Sequence, residues 1–195
     1  QENDLFTLVP EELFDEKEKK NYLKYITKVK NTDFISNDNI EELKIKNVYI
    51  PYVNINNFLV DIFKNIDYYH FNSILIKKVF HIKNDKSFFA YVDNNKLKII
   101  IFNKDELIFF NSYEIESETD IIYFLLLSIK EKGLEIKETQ INFILDKKND
   151  LLLEIADKFF DNFEIINNKK IDFIYSEWEL LEGIVVELGL TFPKI

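Results

Sequence analysis

The sequence predicts an α/β fold, because strand-like and helix-like segments alternate along most of its 195 residues. Apolar residues make up 47% of the chain, which is enough for a substantial core. Between residues 88 and 115, two turn segments rich in Asn and Asp separate three apolar runs, a pattern that predicts a meander of three strands. Capping residues then mark the starts of the helices that follow.

The first half of the chain is predicted to alternate single strands and single helices. The first expected elements are a strand at Phe6–Val9 and a helix from Pro10 to about residue 30 with Leu13, Tyr22, Ile26 and Val29 on one face. A strand at Lys44–Ile50 should follow, and then a helix from its cap Asn54 to about Asn65 with Phe58, Leu59, Ile62 and Phe63 facing inward. The last two expected elements are a strand near Ile66–Tyr69 and a helix at about Phe71–Phe80.

The second half is predicted to place three strands before its first helix. The three strands are expected at Phe88–Val92, Leu97–Phe102 and Leu107–Ile115, joined by turns at Asp93–Lys96 and Asn103–Glu106. A helix capped by Ser117 and ended by Gly133 should follow, and then a strand at Gln140–Leu145 and a helix at about Asp150–Phe160. The last two expected elements are a strand at Phe163–Ile166 and a helix that begins at the capping box of Ser176 and Glu179 and ends at Gly189.

This second half has the order β-β-β-α-β-α-β-α of an RNase H-like unit, and the first half has the same order without its first two strands. Two such units in tandem form the actin-like ATPase fold. We therefore expect a first unit at residues 1–84, incomplete at its N-terminus, and a second at residues 85–195. Because the missing strands are expected upstream of Gln1, Phe6–Val9 should lie at a sheet edge. Two unrelated small α/β units are the alternative.

Two segments carry a resemblance to a known family. Phe6–Phe14 and the series Leu107, Asn111-Ser112-Tyr113 and Asp120–Tyr123 resemble two signatures of a bacterial "domain of unknown function" family that is assigned an actin-like ATPase fold. The resemblance implies that fold and an upstream N-terminal portion. It supplies no catalytic residues.

The composition excludes several kinds of partner. The net charge is −10 and the chain contains no Arg, whereas binding to a nucleic-acid backbone requires clustered basic residues. No apolar run approaches the roughly 18 residues of a membrane span. Without Cys there is neither a disulfide framework nor a thiolate metal site. We expect a cytoplasmic protein that binds neither nucleic acid nor membranes.

Glycine is scarce where a nucleotide site would need it. Phosphate-binding turns use Gly because the backbone must approach the phosphates closely, and this chain has three Gly, none before residue 133. Asp93, Asn94 and Asn95 occupy the turn equivalent to a phosphate loop, and Asp146 follows a later strand. These four residues are interpreted as a vestigial nucleotide site or as ordinary turn residues. No cofactor or metal is expected.

The remaining candidates favour structural roles. A two-metal nuclease would need Asp93, Asp120 and Asp146 to converge, but Asp120 stands where a carboxylate caps a helix. Other side chains with a possible role are His70 and His81, interpreted as structural; Asn111 and Tyr113, interpreted as fold-specific hydrogen bonding; and Trp178, interpreted as packing or a partner anchor.

The function predicted from the sequence is that of a non-catalytic, actin-like protein, a pseudo-ATPase that acts through a protein partner or self-association. A nucleotide-binding ATPase whose main phosphate loop lies upstream is the alternative, and an RNase H-like metal-dependent nuclease is the third reading. Whether the protein is an enzyme stays open, with the balance against it.

Overall fold

The computed structural model describes residues 2–64 and 66–167. The predicted last helix between Ser176 and Gly189, with Trp178, lies outside the described residues. Contacts between residues divide the chain into two compact units, Gln1–Ser87 with Ile100–Ser112, and Phe88–Ile99 with the described residues from Tyr113 onward. The predicted division at residue 84 follows from fold repetition and stays a prediction.

A three-stranded antiparallel sheet is built from the first part of the chain. Its strands are β1 (Phe6–Pro10), β2 (Ser36–Ile40) and β3 (Ile45–Tyr49), in the spatial order β1-β3-β2. The strand predictions for β1 and β3 are confirmed, and β1 lies at an edge of its sheet as expected. β2 was not predicted, because its sequence of Ser, Asn, Asp, Asn and Ile has low strand propensity.

The predicted helix from Pro10 to about residue 30 is wrong. The chain instead forms 3-10 turns at Glu11–Leu13 and Glu16–Glu18 and a short helix α1 at Lys19–Leu23. The Tyr22 hydroxyl explains the break, because it donates to the Leu13 carbonyl at 2.7 Å and accepts from the Asp15 N–H at 2.8 Å. These two hydrogen bonds hold the backbone around Leu13 and Asp15 in a turn, which the helical period of the apolar residues does not predict.

The predicted apolar face of that helix is also wrong. Leu13 and Ile26 are exposed, and Leu23 is the residue of α1 that becomes fully buried. Leu23 packs with Val9 and Val48 in a small core on one face of the sheet.

Two helices follow this sheet, α2 at Val53–Phe63 and α3 at Phe71–Ile82. Tyr52 precedes α2 without a side-chain cap, so the predicted cap at Asn54 is wrong. The short strand predicted near Ile66–Tyr69 is wrong as well, because these residues form an irregular connection. The first half therefore has the order β-α-β-β-α-α rather than alternating strands and helices.

The second half follows the predicted order closely. Its strands are β4 (Lys86–Asp93), β5 (Lys96–Asn103), β6 (Glu106–Glu114), β7 (Ile141–Leu145) and β8 (Phe163–Asn167), and its helices are α4 (Glu118–Glu131) and α5 (Asp150–Ala156). The five strands form one sheet in the order β6-β5-β4-β7-β8, with β4, β7 and β8 parallel. Four consecutive residues of β4, Phe88–Tyr91, are buried, as expected for a strand that is covered on both faces.

Local chemistry explains why this half was predictable. Asn94 and Lys104 take positive φ angles of 48° and 53° in the two hairpin turns. Ser117 caps α4, and Gly133 follows it with φ of 63°, the left-handed conformation that ends a helix.

Candidate functional site

Asp93 and Asp146 lie at the ends of neighbouring parallel strands. Val92 of β4 stands opposite Leu145 of β7, so the next residues along the two strands are Asp93 and Asp146. Asp93 is half-buried and Asp146 is exposed. The carboxyl ends of parallel strands form the edge at which open α/β sheets bind ligands. The register therefore brings the two predicted carboxyl residues to one edge of the sheet.

The turn beside Asp93 has the geometry of a hairpin connection. Asn94 and Asn95 link β4 to β5, and the left-handed conformation of Asn94 closes the turn. The carbonyl of Asn95 accepts a hydrogen bond from the Ile115 N–H at 2.8 Å, which fixes the turn against the residue that follows β6. Nucleotide binding by Asp93, Asn94, Asn95 and Asp146 stays a prediction.

Asp120 serves the first turn of α4. Its carboxylate accepts hydrogen bonds from the N–H groups of Glu116 and Ser117, both at 2.9 Å, while the Ser117 hydroxyl accepts from the Asp120 N–H. The hydrogen bond from Glu116 holds the pKa of Asp120 below its ordinary value. These bonds form a capping box, which confirms the predicted cap at Ser117 and the predicted position of Asp120 at the helix start.

The same end of α4 is tied to the start of α5. Asn149 caps α5 by accepting from the Leu152 N–H at 3.0 Å, and its amide donates to Glu118 at 3.1 Å. This hydrogen bond lowers the pKa of Glu118. The polar residues around this helix start are therefore engaged in capping.

Metal-ligand geometry is not found in the described part of the chain. No group of three or more His, Asp or Glu side chains in residues 2–64 and 66–167 could hold a metal ion. The convergence of Asp93, Asp120 and Asp146 that a two-metal nuclease needs is therefore not formed there.

A buried polar cluster, which the sequence does not predict, joins β2 and β3 to the start of α3. Asp38 is almost fully buried and accepts from the His70 N–H at 2.7 Å and from the Tyr49 hydroxyl at 2.9 Å. His70 caps α3, because its Nδ1 accepts from the Asn72 N–H at 3.2 Å. Its proton must then lie on Nε2, which donates to the Asn3 carbonyl at 3.1 Å.

A second bond in this cluster joins Asn47 of β3 to Ser73 of α3, where the Asn47 amide donates to the Ser73 hydroxyl at 2.8 Å. Asn47, His70 and Asn72 are fully buried, so the cluster places polar side chains in the interior of its unit. The interpretation of His70 as structural agrees with these contacts. His81 lies 3.6 Å from Glu42 with both side chains partly exposed.

Asn111 and Tyr113, which the sequence analysis interprets as fold-specific hydrogen bonding, make contacts with nearby residues. Asn111 accepts from the N–H of Ser112 at 2.9 Å, and the ring of Tyr113 stacks on Phe124 of α4 with centroids 4.1 Å apart. These contacts favour a role in packing β6 and α4.

Helix α2 presents apolar side chains to solvent. None of its eleven residues is buried, and Ile55 and Phe58 are 52% and 50% exposed. The inward face predicted for Phe58, Leu59, Ile62 and Phe63 is therefore wrong. A helix with this many apolar residues normally buries one face, whereas α2 buries none of its residues.

Every helix in the described part of the chain is too short or too polar to span a lipid bilayer.

Comparison with known proteins adds a family and a fold. The family model "Protein of unknown function (DUF3822)" matches residues 1–163. A solved structure from Bacteroides thetaiotaomicron VPI-5482, described as a protein with actin-like ATPase fold and unknown function, is 19% identical, with a TM-score of 0.77 over 88% of this chain and 69% of that one. Comparison with curated protein sequences gives no match. The predicted fold and the predicted family resemblance are confirmed.

Proposed function

Because the chain belongs to the DUF3822 family of proteins of unknown function and has an actin-like ATPase fold, we propose that it is a non-catalytic member of that fold that acts by contact with other protein chains. The exposed apolar surface of α2 carries this proposal. Each exposed apolar side chain leaves unfavourable hydration, at about 25 cal/mol per Å², that association with another chain would remove.

Charge supports a protein partner over other ligands. Helix α2 contains one charged residue, Asp61, in a chain whose net charge is −10. Membrane-surface helices carry Lys or Arg on their polar face, and α2 carries neither. An apolar surface with a single acidic residue on an acidic protein fits another protein better than a lipid headgroup or a nucleic acid. We place this contact in the cytoplasm.

The test compares two variants of α2 that add the same charge. Phe58→Asp puts a carboxylate on an exposed apolar position, and Asn57→Asp puts one on the adjacent exposed polar position. Light scattering and a pull-down from cytoplasmic extract should show association of the wild type and of Asn57→Asp, and its loss in Phe58→Asp. Association should survive about 0.3 M salt, because apolar contact is weakly screened.

Two results would contradict the proposal. Wild-type protein that is monomeric and recovers no protein, or a Phe58→Asp variant that associates as the wild type does, would show that α2 is not the contact surface.

A nucleotide-binding ATPase is the second candidate, favoured by the adjacent positions of Asp93 and Asp146 at the carboxyl edge of β4 and β7. The proposal of a non-catalytic protein predicts that ATP–Mg²⁺ binds no tighter than about 1 mM, or about −4 kcal/mol. Titration calorimetry measures this directly. A micromolar dissociation constant that is lost in Asp93→Ala would establish the second candidate instead.

A further inference from the structure

One segment of this acidic protein is strongly basic. Residues 19–30, the basic segment, carry five Lys and no acidic residue, in a chain whose net charge is −10. Four of these lysines are exposed: Lys20, Lys24, Lys28 and Lys30. In the part of the chain that the structure describes, none of the four forms an ion pair with a carboxylate. The basic segment therefore presents positive charge that is available to an anionic partner.

The fold holds the basic segment in a fixed position on the three-stranded sheet. Leu23 packs with Val9 and Val48 on one face of the sheet, and Tyr22 and Val29 pack against the same core. The strands expected upstream of Gln1 would instead extend the sheet beyond the edge of β1. Because apolar contacts anchor the segment between its lysines, a partner would meet a preformed surface and lose little backbone entropy on binding.

Helix electrostatics does not account for these charges. Residues 11–18 carry five acidic residues and one Lys, and acids that precede bases stabilise a helix through its macrodipole. The helix here, however, is limited to the five residues Lys19–Leu23. Since the macrodipole acts within the last turn of a helix, it gives no stabilising role to Lys28 and Lys30.

The acidic residues beside the basic segment limit the kind of anion that can bind. Residues 11–18 pack against it, because the rings of Phe14 and Tyr22 stack with centroids 6.0 Å apart. A lipid bilayer or a nucleic-acid duplex that covered the lysines would also meet this acidic run, which would repel its phosphates. A short acidic segment of a protein covers a smaller area and needs to contact only the lysines that follow α1.

We propose that the basic segment binds an acidic segment of a partner protein, whose carboxylates face Lys24, Lys28 and Lys30. Tyr25 is 94% exposed beside these lysines, and aromatic residues are enriched at protein interfaces. At about 0.15 M salt the Debye length is about 8 Å, so the net charge of the rest of the chain is largely screened and the lysines determine the attraction at contact. The inference rests on the proposed function and names the charge of the partner at a surface that does not include α2.

The probe is a fluorescent ten-residue peptide of alternating Glu and Ser with blocked ends, and its matched control has Gln in place of Glu. At about 0.1 M salt the wild-type protein should bind the Glu peptide about ten-fold tighter than the Gln peptide, because only carboxylates are attracted to the lysines. Fluorescence anisotropy measures both affinities. Raising the salt to about 0.5 M should remove most of the difference, whereas association through α2 should persist.

Two double variants separate local charge from overall charge. Lys24→Glu with Lys28→Glu should weaken binding of the Glu peptide about ten-fold, because like charges then face each other. Lys137→Glu with Lys147→Glu changes the net charge equally at exposed positions outside the basic segment, so binding should stay within about two-fold of the wild type. All four positions are exposed, and equal midpoints of urea unfolding would show that both double variants fold.

Three outcomes overturn the inference. The first is equal binding of the Glu and Gln peptides, and the second is an equal effect of the two double variants. The third is tighter binding of a 20-nucleotide RNA, or of vesicles that contain phosphatidylserine, than of the Glu peptide, which would assign the basic segment to a nucleic acid or a membrane. Each of them leaves the proposed function standing if the α2 variants still control association. Loss of the α2 effect with intact binding of the Glu peptide would refute only the role of α2.

Discussion

The carboxylate of Asp38 is held in the interior by donors from two other elements, the His70 N–H before α3 and the Tyr49 hydroxyl of β3. A buried carboxylate is costly unless its oxygens are hydrogen-bonded. These two bonds therefore stabilise both Asp38 and the connection between the three-stranded sheet and α3.

Removing one donor tests this role. Tyr49→Phe deletes the hydroxyl and keeps the ring, so we expect the free energy of unfolding to fall by about 1–3 kcal/mol. Urea denaturation should show a lower midpoint with an unchanged slope. Tyr25→Phe is the matched control, because Tyr25 is 94% exposed and its loss should change stability by less than about 0.5 kcal/mol. Equal effects of the two substitutions would contradict a stabilising role for the hydrogen bond between Tyr49 and Asp38.

Asp120 gives a prediction about pH. Its pKa in the folded protein is lowered from an ordinary value of 3.8, chiefly by the hydrogen bond from Glu116, so the charged carboxylate stabilises the folded state. This contribution is complete above the unfolded pKa and is lost as the pH falls through the lower folded pKa. Asp120→Asn should therefore destabilise the protein more at pH 7 than at pH 3. Urea denaturation at both values checks this, and an equal loss at both would exclude the charge effect.

Among the elements, α4 shows what short-range sequence signals can predict. Ser117, Asp120 and Gly133 mark its two ends, and each of them has the predicted conformation or contact. Hairpin turns and caps depend on a few adjacent residues, so their geometry can be inferred without knowledge of the rest of the chain.

The structure of the first half depends on contacts between residues that are distant in sequence. Tyr22 breaks a periodic segment by hydrogen bonds to Leu13 and Asp15, and β2 is a strand of polar residues that pairs with β3. The Asp38 cluster depends on contacts across 32 residues, which a pattern of local periods cannot show. For the candidate site, the sequence placed Asp93 and Asp146 at strand ends, but their neighbouring positions follow only from the register.

Gly133 tests the geometry at the end of α4. A Cβ at this position would meet no atom within 4 Å, so any cost of substitution comes from the positive φ alone. We expect Gly133→Ala to destabilise the protein by about 1–2 kcal/mol, and Gly133→Asn to cost less because Asn tolerates this conformation. Thermal and urea unfolding of both variants measure the difference, and a larger loss for Asn than for Ala would show that contacts, not φ, set the cost.

At the scale of the whole molecule, acidity and exposed apolar surface act together. A net charge of −10 should keep copies and other acidic proteins apart, whereas α2 carries a single charged residue. Long-range repulsion would thus limit indiscriminate association, and uncharged contact surfaces would give specificity at short range.

Nucleic-acid binding provides the test of this charge distribution. The 25 basic residues are all Lys and are outnumbered by 35 acidic residues, so the chain should repel a phosphate backbone. We expect no detectable binding of a fluorescent 20-nucleotide RNA or of duplex DNA of the same length, at micromolar protein and about 50 mM salt, by anisotropy. Binding that is present at this salt and disappears near 0.3 M would identify an electrostatic nucleic-acid site and would contradict the proposal of protein contact. Association with protein should persist across the same range, because contact between uncharged surfaces releases few counterions.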